Sequence, residues 1–92
     1  MGRKGIQLKH AEVVITNESI SSVSAEQQQN GEWTCFITFY NSDSMQIEEV
    51  YIEKQRDGMR TWADPRKMFD FMYTKFGITD GQFKICEHRE KS

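Results

Sequence analysis

Residues 32–40 read EWTCFITFY. Seven of these nine are aromatic or β-branched, the composition of a strand. Side chains alternate across a strand, so Trp33, Cys35, Ile37 and Phe39 share one face. Thr34, Phe36, Thr38 and Tyr40 share the other. Aromatic residues on both faces predict a central strand, at least partly covered on each side.

The neighbouring segments are read outward from this strand. Asn30-Gly31, just before it, is a two-residue hairpin signal of type I′, because both central residues of that turn need positive φ. It makes residues 20–29 (ISSVSAEQQQ) the partner strand, polar toward its end. Residues 11–16 (AEVVIT) are short and β-branched and read as a strand, followed by a turn at Asn17-Glu18-Ser19. Downstream, residues 41–44 are a loop and residues 47–56 (IEEVYIEKQR) a fourth strand. Asp57-Gly58 is a second hairpin signal, returning residues 59–62 (MRTW) as a short strand.

The hydrophobic period then changes. Asp64 is a helix N-cap and Pro65 the first helical residue. The helix runs over residues 65–76, and Gly77 is its left-handed cap. Met68, Phe69, Met72, Tyr73 and Phe76 fall in one stripe, with Phe71 at its edge. Residues 82–86 (QFKIC) are a last strand, with Phe83 and Ile85 on one side. The expected fold is therefore α+β. An antiparallel β-meander of four to five strands carries one helix packed on it and a final strand. Residues 1–92 form a single domain, in which 1–9 are a flexible basic arm and 88–92 a frayed tail.

The chain has 92 residues, 37% hydrophobic and 12% aromatic, which is the range of an ordered domain. No apolar run reaches membrane-spanning length. The first ten residues lack the apolar core of a secretory signal, and Ile6 breaks the myristoylation pattern. The expected location is cytoplasmic, in a host cell. Cys35 and Cys86 are too far apart for a metal motif and too few for a disulfide framework, so they read as reduced thiols. No metal or cofactor is expected.

Catalytic signatures are missing. There is no G-x-S-x-G, no phosphate-binding glycine loop and no H-E-x-x-H. Asp57, Asp64 and Asp70 have structural readings as a turn, a cap and an outer helical position. The chain is read as a non-enzyme with no catalytic residues.

The net charge of −2 conceals a pattern. Residues 1–9 carry Arg3, Lys4 and Lys9 and no acid. Residues 10–53 carry eight acids and no lysine or arginine. Residues 54–92 carry nine bases and six acids. Lys54, Arg56, Arg60, Arg66 and Lys67 lie within fourteen residues, beside Trp62. In a two-residue hairpin, Arg56 faces Met59 and Lys54 faces Thr61. Arg66 and Lys67 oppose the helix dipole, an arrangement that suits a bound anion. These six residues, with Arg3 and Lys4, are the candidate nucleic-acid or anion contacts. The alternative makes Trp62 core and pairs Arg66 and Lys67 with Glu48, Glu49 and Glu53. Those three glutamates are otherwise the candidate contacts to a basic protein surface.

In length, mild acidity and lack of catalytic residues, the chain resembles small phage- or plasmid-encoded inhibitors of the anti-CRISPR kind. That resemblance implies a docking protein that inhibits or modulates a larger nucleoprotein complex. Its partner would be a protein or protein–RNA complex, with possible nucleic-acid contact and no membrane. The strands-then-helix order is also similar to single-strand-binding regulators of the Whirly type. This second resemblance implies the alternative, a small regulator acting directly on DNA or RNA. A third class, a structural subunit or homodimer, would pair an exposed edge strand with its twin. The sequence leaves monomer and homodimer open.

Overall fold

The strongest strand lies at the centre of a five-stranded sheet. The computed structural model describes residues 2–56 and 58–87. The element order is β1 (Lys4–Ile6), α1 (Leu8–Val14), a 3-10 turn (Asn17–Ser19), β2 (Ile20–Gln27), β3 (Trp33–Asn41), β4 (Gln46–Ile52), α2 (Pro65–Phe76) and β5 (Gln82–Lys84). The strands are arranged β1-β4-β3-β2-β5. β3 runs antiparallel to β2 and β4, while β1 joins β4 and β5 joins β2 in parallel. Only β2-β3-β4 is a meander, and the sheet is mixed.

The α+β class is as expected, but there are two helices. Residues 11–16 are not a strand: residues up to Val14 belong to α1, which starts at Leu8. Leu8, Ala11 and Ile15 recur at helical spacing and pack into the core, while Lys9, His10, Glu12 and Val13 face solvent. The β-branched run from Val13 to Thr16 hides a period that begins three residues earlier. The topology also needs this helix, because β1 and β2 run in the same direction and a parallel pair requires a crossover.

The basic start of the chain is not a free arm. Residues 4–6 are the edge strand β1, with Ile6 opposite Ile52 in the register. The frayed tail expected at 88–92 lies outside the described residues.

Both hairpins differ from the two-residue form. The β2–β3 turn has positive φ at Gly31 alone (89°), so Asn30 keeps an ordinary backbone. Gly31 N–H donates to the Gln28 carbonyl and Gln28 N–H to the Glu32 carbonyl. This is the three-residue loop in which a turn is followed by a left-handed glycine. At the second hairpin, Glu53 bridges Met59, and Lys54 N–H donates to the Gly58 carbonyl. Arg56 therefore does not face Met59, nor Lys54 Thr61. Asp57 lies outside the described residues. Residues 59–62 form isolated bridges rather than a strand, the second joining Trp62 to Trp33.

One core holds the molecule together. Cys35, Ile37 and Phe39 of β3 are fully buried beside Val50, Ile52 and Val23. Ala11 and Ile15 from α1 and Met68, Met72 and Phe76 from α2 close the same cluster. Phe69 and Tyr73 leave the anticipated stripe and face solvent. Asp64 caps α2 by accepting from Arg66 N–H, and Gly77 ends it in the left-handed region. The Asn17 amide donates to the carbonyls of Phe76 and Gly77, tying the turn before β2 to the end of α2.

Ile37 is the test of this core. Ile37→Ala is expected to lower the unfolding free energy by about 2–5 kcal/mol, through lost burial and a residual cavity. Val13→Ala, on the exposed side of α1, is expected to stay within about 0.5 kcal/mol. Urea denaturation followed by circular dichroism measures both.

Candidate functional site

The acidic sheet and the basic hairpin–helix junction are separate places with different degrees of neutralisation. The sheet face away from the helices carries Phe36, Thr38 and Tyr40 of β3 beside Tyr51, Glu49 and Ile47 of β4, as their register requires. Ser22, Ser24 and Glu26 continue that face onto β2. Phe36 is nonetheless buried, because Arg3 lies over it. The Arg3 guanidinium carbon is 3.8 Å from the Phe36 ring centroid. Tyr51 meets the same ring edge-on at 6.2 Å.

Arg3 is fixed there by two carboxylates. Its Nη1 and Nη2 donate to Glu26 Oε1 and Oε2 at 3.0 and 2.7 Å, a bidentate pair. Its Nε lies 3.1 Å from Glu49 Oε1. The Arg3 guanidinium holds the Glu26 carboxyl below the usual carboxylate range, against the desolvation that would raise it. Lys4 Nζ lies 3.1 Å from Glu48 Oε1. Glu48 is also lowered, first by the Ser44 hydroxyl and then by Lys4 and Asn41. Glu53 accepts from the Gln7 amide at 2.9 Å.

These contacts redistribute the sequence candidates. Arg3 and Lys4 are spent within the fold on Glu26, Glu48 and Glu49. Glu48 and Glu49 pair with the start of the chain, not with Arg66 or Lys67. The acidic stretch, which has no lysine or arginine of its own, is neutralised in part by residues that precede it. No sequence-local signal carried this pairing. It depends on β1 lying beside β4.

The junction has another construction. Arg60 N–H donates to the Ile52 carbonyl and the Arg60 carbonyl accepts from the buried Thr34 hydroxyl, so its backbone is anchored on both sides. Its guanidinium carbon lies 5.0 Å from the Trp62 ring and 4.7 Å from the Phe71 ring. Trp62 and Phe71 are themselves 5.1 Å apart and pack on the core. Trp62 is thus part core and part platform, with a cation already stacked upon it. Phe71, placed at the stripe's edge from sequence, completes this stack.

Arg66 has an internal partner. Its Nε and Nη2 donate to the Asp64 carboxylate at 3.1 and 3.0 Å, and its backbone N–H donates to the same group. The anion at this helix start is therefore Asp64, held below its ordinary range by Arg66. Lys54, Arg56 and Lys67 are exposed and form no ion pair among the described residues. They, with the stacked Arg60, are the cationic groups the junction presents outward.

No cluster of three or more metal-ligating side chains occurs among the described residues. No helix among the described residues is long and apolar enough to cross a membrane. Cys35 is fully buried, and burial pushes its thiol up to about 12. Compared with protein-family models, curated proteins and solved structures, the chain matches none.

Two outcomes follow from this geometry. Removing the Arg3 clamp with Arg3→Met is expected to cost at least about 1 kcal/mol at neutral pH, from the lost cation–π contact together with the pairs to Glu26 and Glu49. The pH dependence should change as well. Glu26 has a lower carboxyl pKa folded than unfolded, so between the two values the unfolded chain binds the extra proton. Its contribution is full above the ordinary carboxylate value and lost as pH falls through the lowered one. The variant should show a flatter acid limb in urea midpoints measured from pH 7 downward. Separately, Cys35 should resist a thiol reagent in the folded chain and react once urea unfolds it, read by mass spectrometry, because only the thiolate is nucleophilic.

Proposed function

We propose that this chain is a non-catalytic binding protein that docks on a larger nucleoprotein complex and inhibits or modulates it. Its hairpin–helix junction would meet the nucleic-acid part. The observation that carries this reading is the Arg60 guanidinium stacked over Trp62 and Phe71. Exposed Lys54, Arg56 and Lys67 lie along the same segment. An aromatic-backed guanidinium keeps its outer face and its N–H donors for phosphate or base. Flanking lysines and arginines supply the sequence-independent attraction.

The number of such cations favours docking over direct binding. Even a protein making roughly 6–10 phosphate contacts loses most of that affinity as salt rises to physiological levels. The junction offers Lys54, Arg56, Lys67 and the stacked Arg60, on a chain of net charge −2. Four contacts suffice to orient a protein on nucleic acid that another protein already holds. They are a weak basis for holding bare DNA or RNA at physiological salt. Carboxylates left without a salt bridge in the acidic stretch, Glu53 among them, would face the basic protein part of the same complex. An inhibitor of the anti-CRISPR kind, acting on an RNA-guided surveillance complex, has this description.

The test compares three probes: a single-stranded RNA, a double-stranded DNA and an assembled RNA-guided complex. Binding to the complex alone supports docking. Binding to a bare oligonucleotide, with affinity falling steeply as salt rises, supports the direct regulator instead. A Lys54→Ala/Arg56→Ala/Lys67→Ala variant alters only exposed side chains and should fold normally. It is expected to weaken binding by at least about tenfold and to flatten the salt slope by roughly three. Unchanged binding in that variant would remove the junction from the interface.

A further inference from the structure

The opposite end of the sheet carries a second surface, apolar rather than basic. Val23, Met72, Ile78, Gly81, Phe69 and Phe83 line a groove of about 370 Å³ between α2 and β5. Phe83 is 68% exposed, Tyr73 64%, Ile85 54% and Phe69 48%. Tyr73 lies one turn beyond Phe69 on α2, and Ile85 two residues beyond Phe83. With aromatic side chains burying about 150–250 Å² each, these four leave roughly 450 Å² of apolar surface exposed. A standard interface takes about 800 Å² per partner, of which about 56–65% is apolar. The patch therefore matches the apolar share of one such interface.

The strand beside the groove is an open edge. Among the described residues, β5 is last in the sheet order and pairs only with β2. Edges are ordinarily guarded by charge. Each edge strand carries a single charge, Lys4 on β1 and Lys84 on β5, and on β5 it sits next to exposed Phe83. Gly81, just before β5, has no room for a side chain: a Cβ there would sit 2.8 Å from the Val23 carbonyl oxygen. The groove floor is open at that point because Gly81 lies flat against β2.

We infer that a second copy of this chain covers the groove, by antiparallel pairing of the two β5 edges about a two-fold axis through Gln82. That register is self-complementary in two independent ways. It sets Lys84 of each copy across from Asp80 of the other, an opposite-charge cross-strand pair. It also sets Phe83 of each copy across from Gly81 of the other. Each exposed Phe83 then enters the space above a residue that has no side chain, within a groove already lined by Phe69 and Met72. The contact is isologous and closes on itself, giving a dimer with a continuous ten-stranded sheet. It leaves the basic junction outside the interface.

Sedimentation equilibrium of the full chain over a concentration series tests the inference. The native chain is expected to dimerise with micromolar affinity, and Phe83→Asp to remain monomeric with an unchanged circular dichroism spectrum. Asp80→Lys and Lys84→Asp should each weaken the dimer about tenfold through a like-charge pair. The double exchange Asp80→Lys/Lys84→Asp should recover most of that loss, because the pair is restored with its sign reversed. A native chain that stays monomeric at the highest soluble concentration would overturn the inference. So would a dimer that persists in Phe83→Asp, or a double exchange no stronger than the singles.

Discussion

Both helices of this protein are forced onto one face of its sheet. β1, β4, β2 and β5 run in one direction and only β3 opposes them. The crossover from β1 to β2 and that from β4 to β5 each pass over the same number of strand positions, in the same sense. Parallel crossovers are right-handed, so α1 and α2 land together and close one core against Cys35, Ile37 and Phe39. The price is an opposite face with no helix to cover it. Phe36 of the central strand points there and is still buried. A charged side chain does the covering: Arg3 lays its guanidinium over the ring and is held by Glu26 and Glu49.

This arrangement gives the segregated charge two physical roles. The basic start of the chain and part of the acidic stretch neutralise each other across β1, β4, β3 and β2. The Arg3 pairs hold the uncovered face closed, while Lys4 and Glu48 meet on the helix side of the sheet. The basic residues after position 53 have less internal use. Arg66 serves the α2 cap through Asp64, while Arg60 is stacked and Lys54, Arg56 and Lys67 extend into solvent. The proposed binding role rests on these latter groups, which the fold positions without pairing them. The acidic strands are a weaker candidate, since Glu26, Glu48 and Glu49 already have partners within the chain.

The two surfaces proposed for contact lie on different elements. The basic junction spans the end of β4, the second hairpin and the start of α2. The apolar groove lies between the later part of α2 and β5. A dimer formed through β5 would carry two copies of the junction. Two weak, few-cation contacts presented together bind a polyanionic partner more tightly than either alone, provided that both reach it.

Local chemistry made much of this legible in the sequence. EWTCFITFY was a central strand, Asp64-Pro65 began a helix and Gly77 ended it, each through backbone or packing preferences that act within a few residues. The sequence by itself determined the α+β class, β2, β3 and α2, the absence of familiar catalytic motifs and the composition of the basic cluster. It misassigned α1, because β-branched residues favour strands locally while the Leu8–Ala11–Ile15 spacing is rewarded only against a sheet. Only the tertiary structure decided the parallel edge strands, the Arg3 clamp and which cations remain free. Those depend on residues brought together from distant parts of the chain, such as Arg3 with Glu26 and Glu49, and on strand order, which no local propensity encodes.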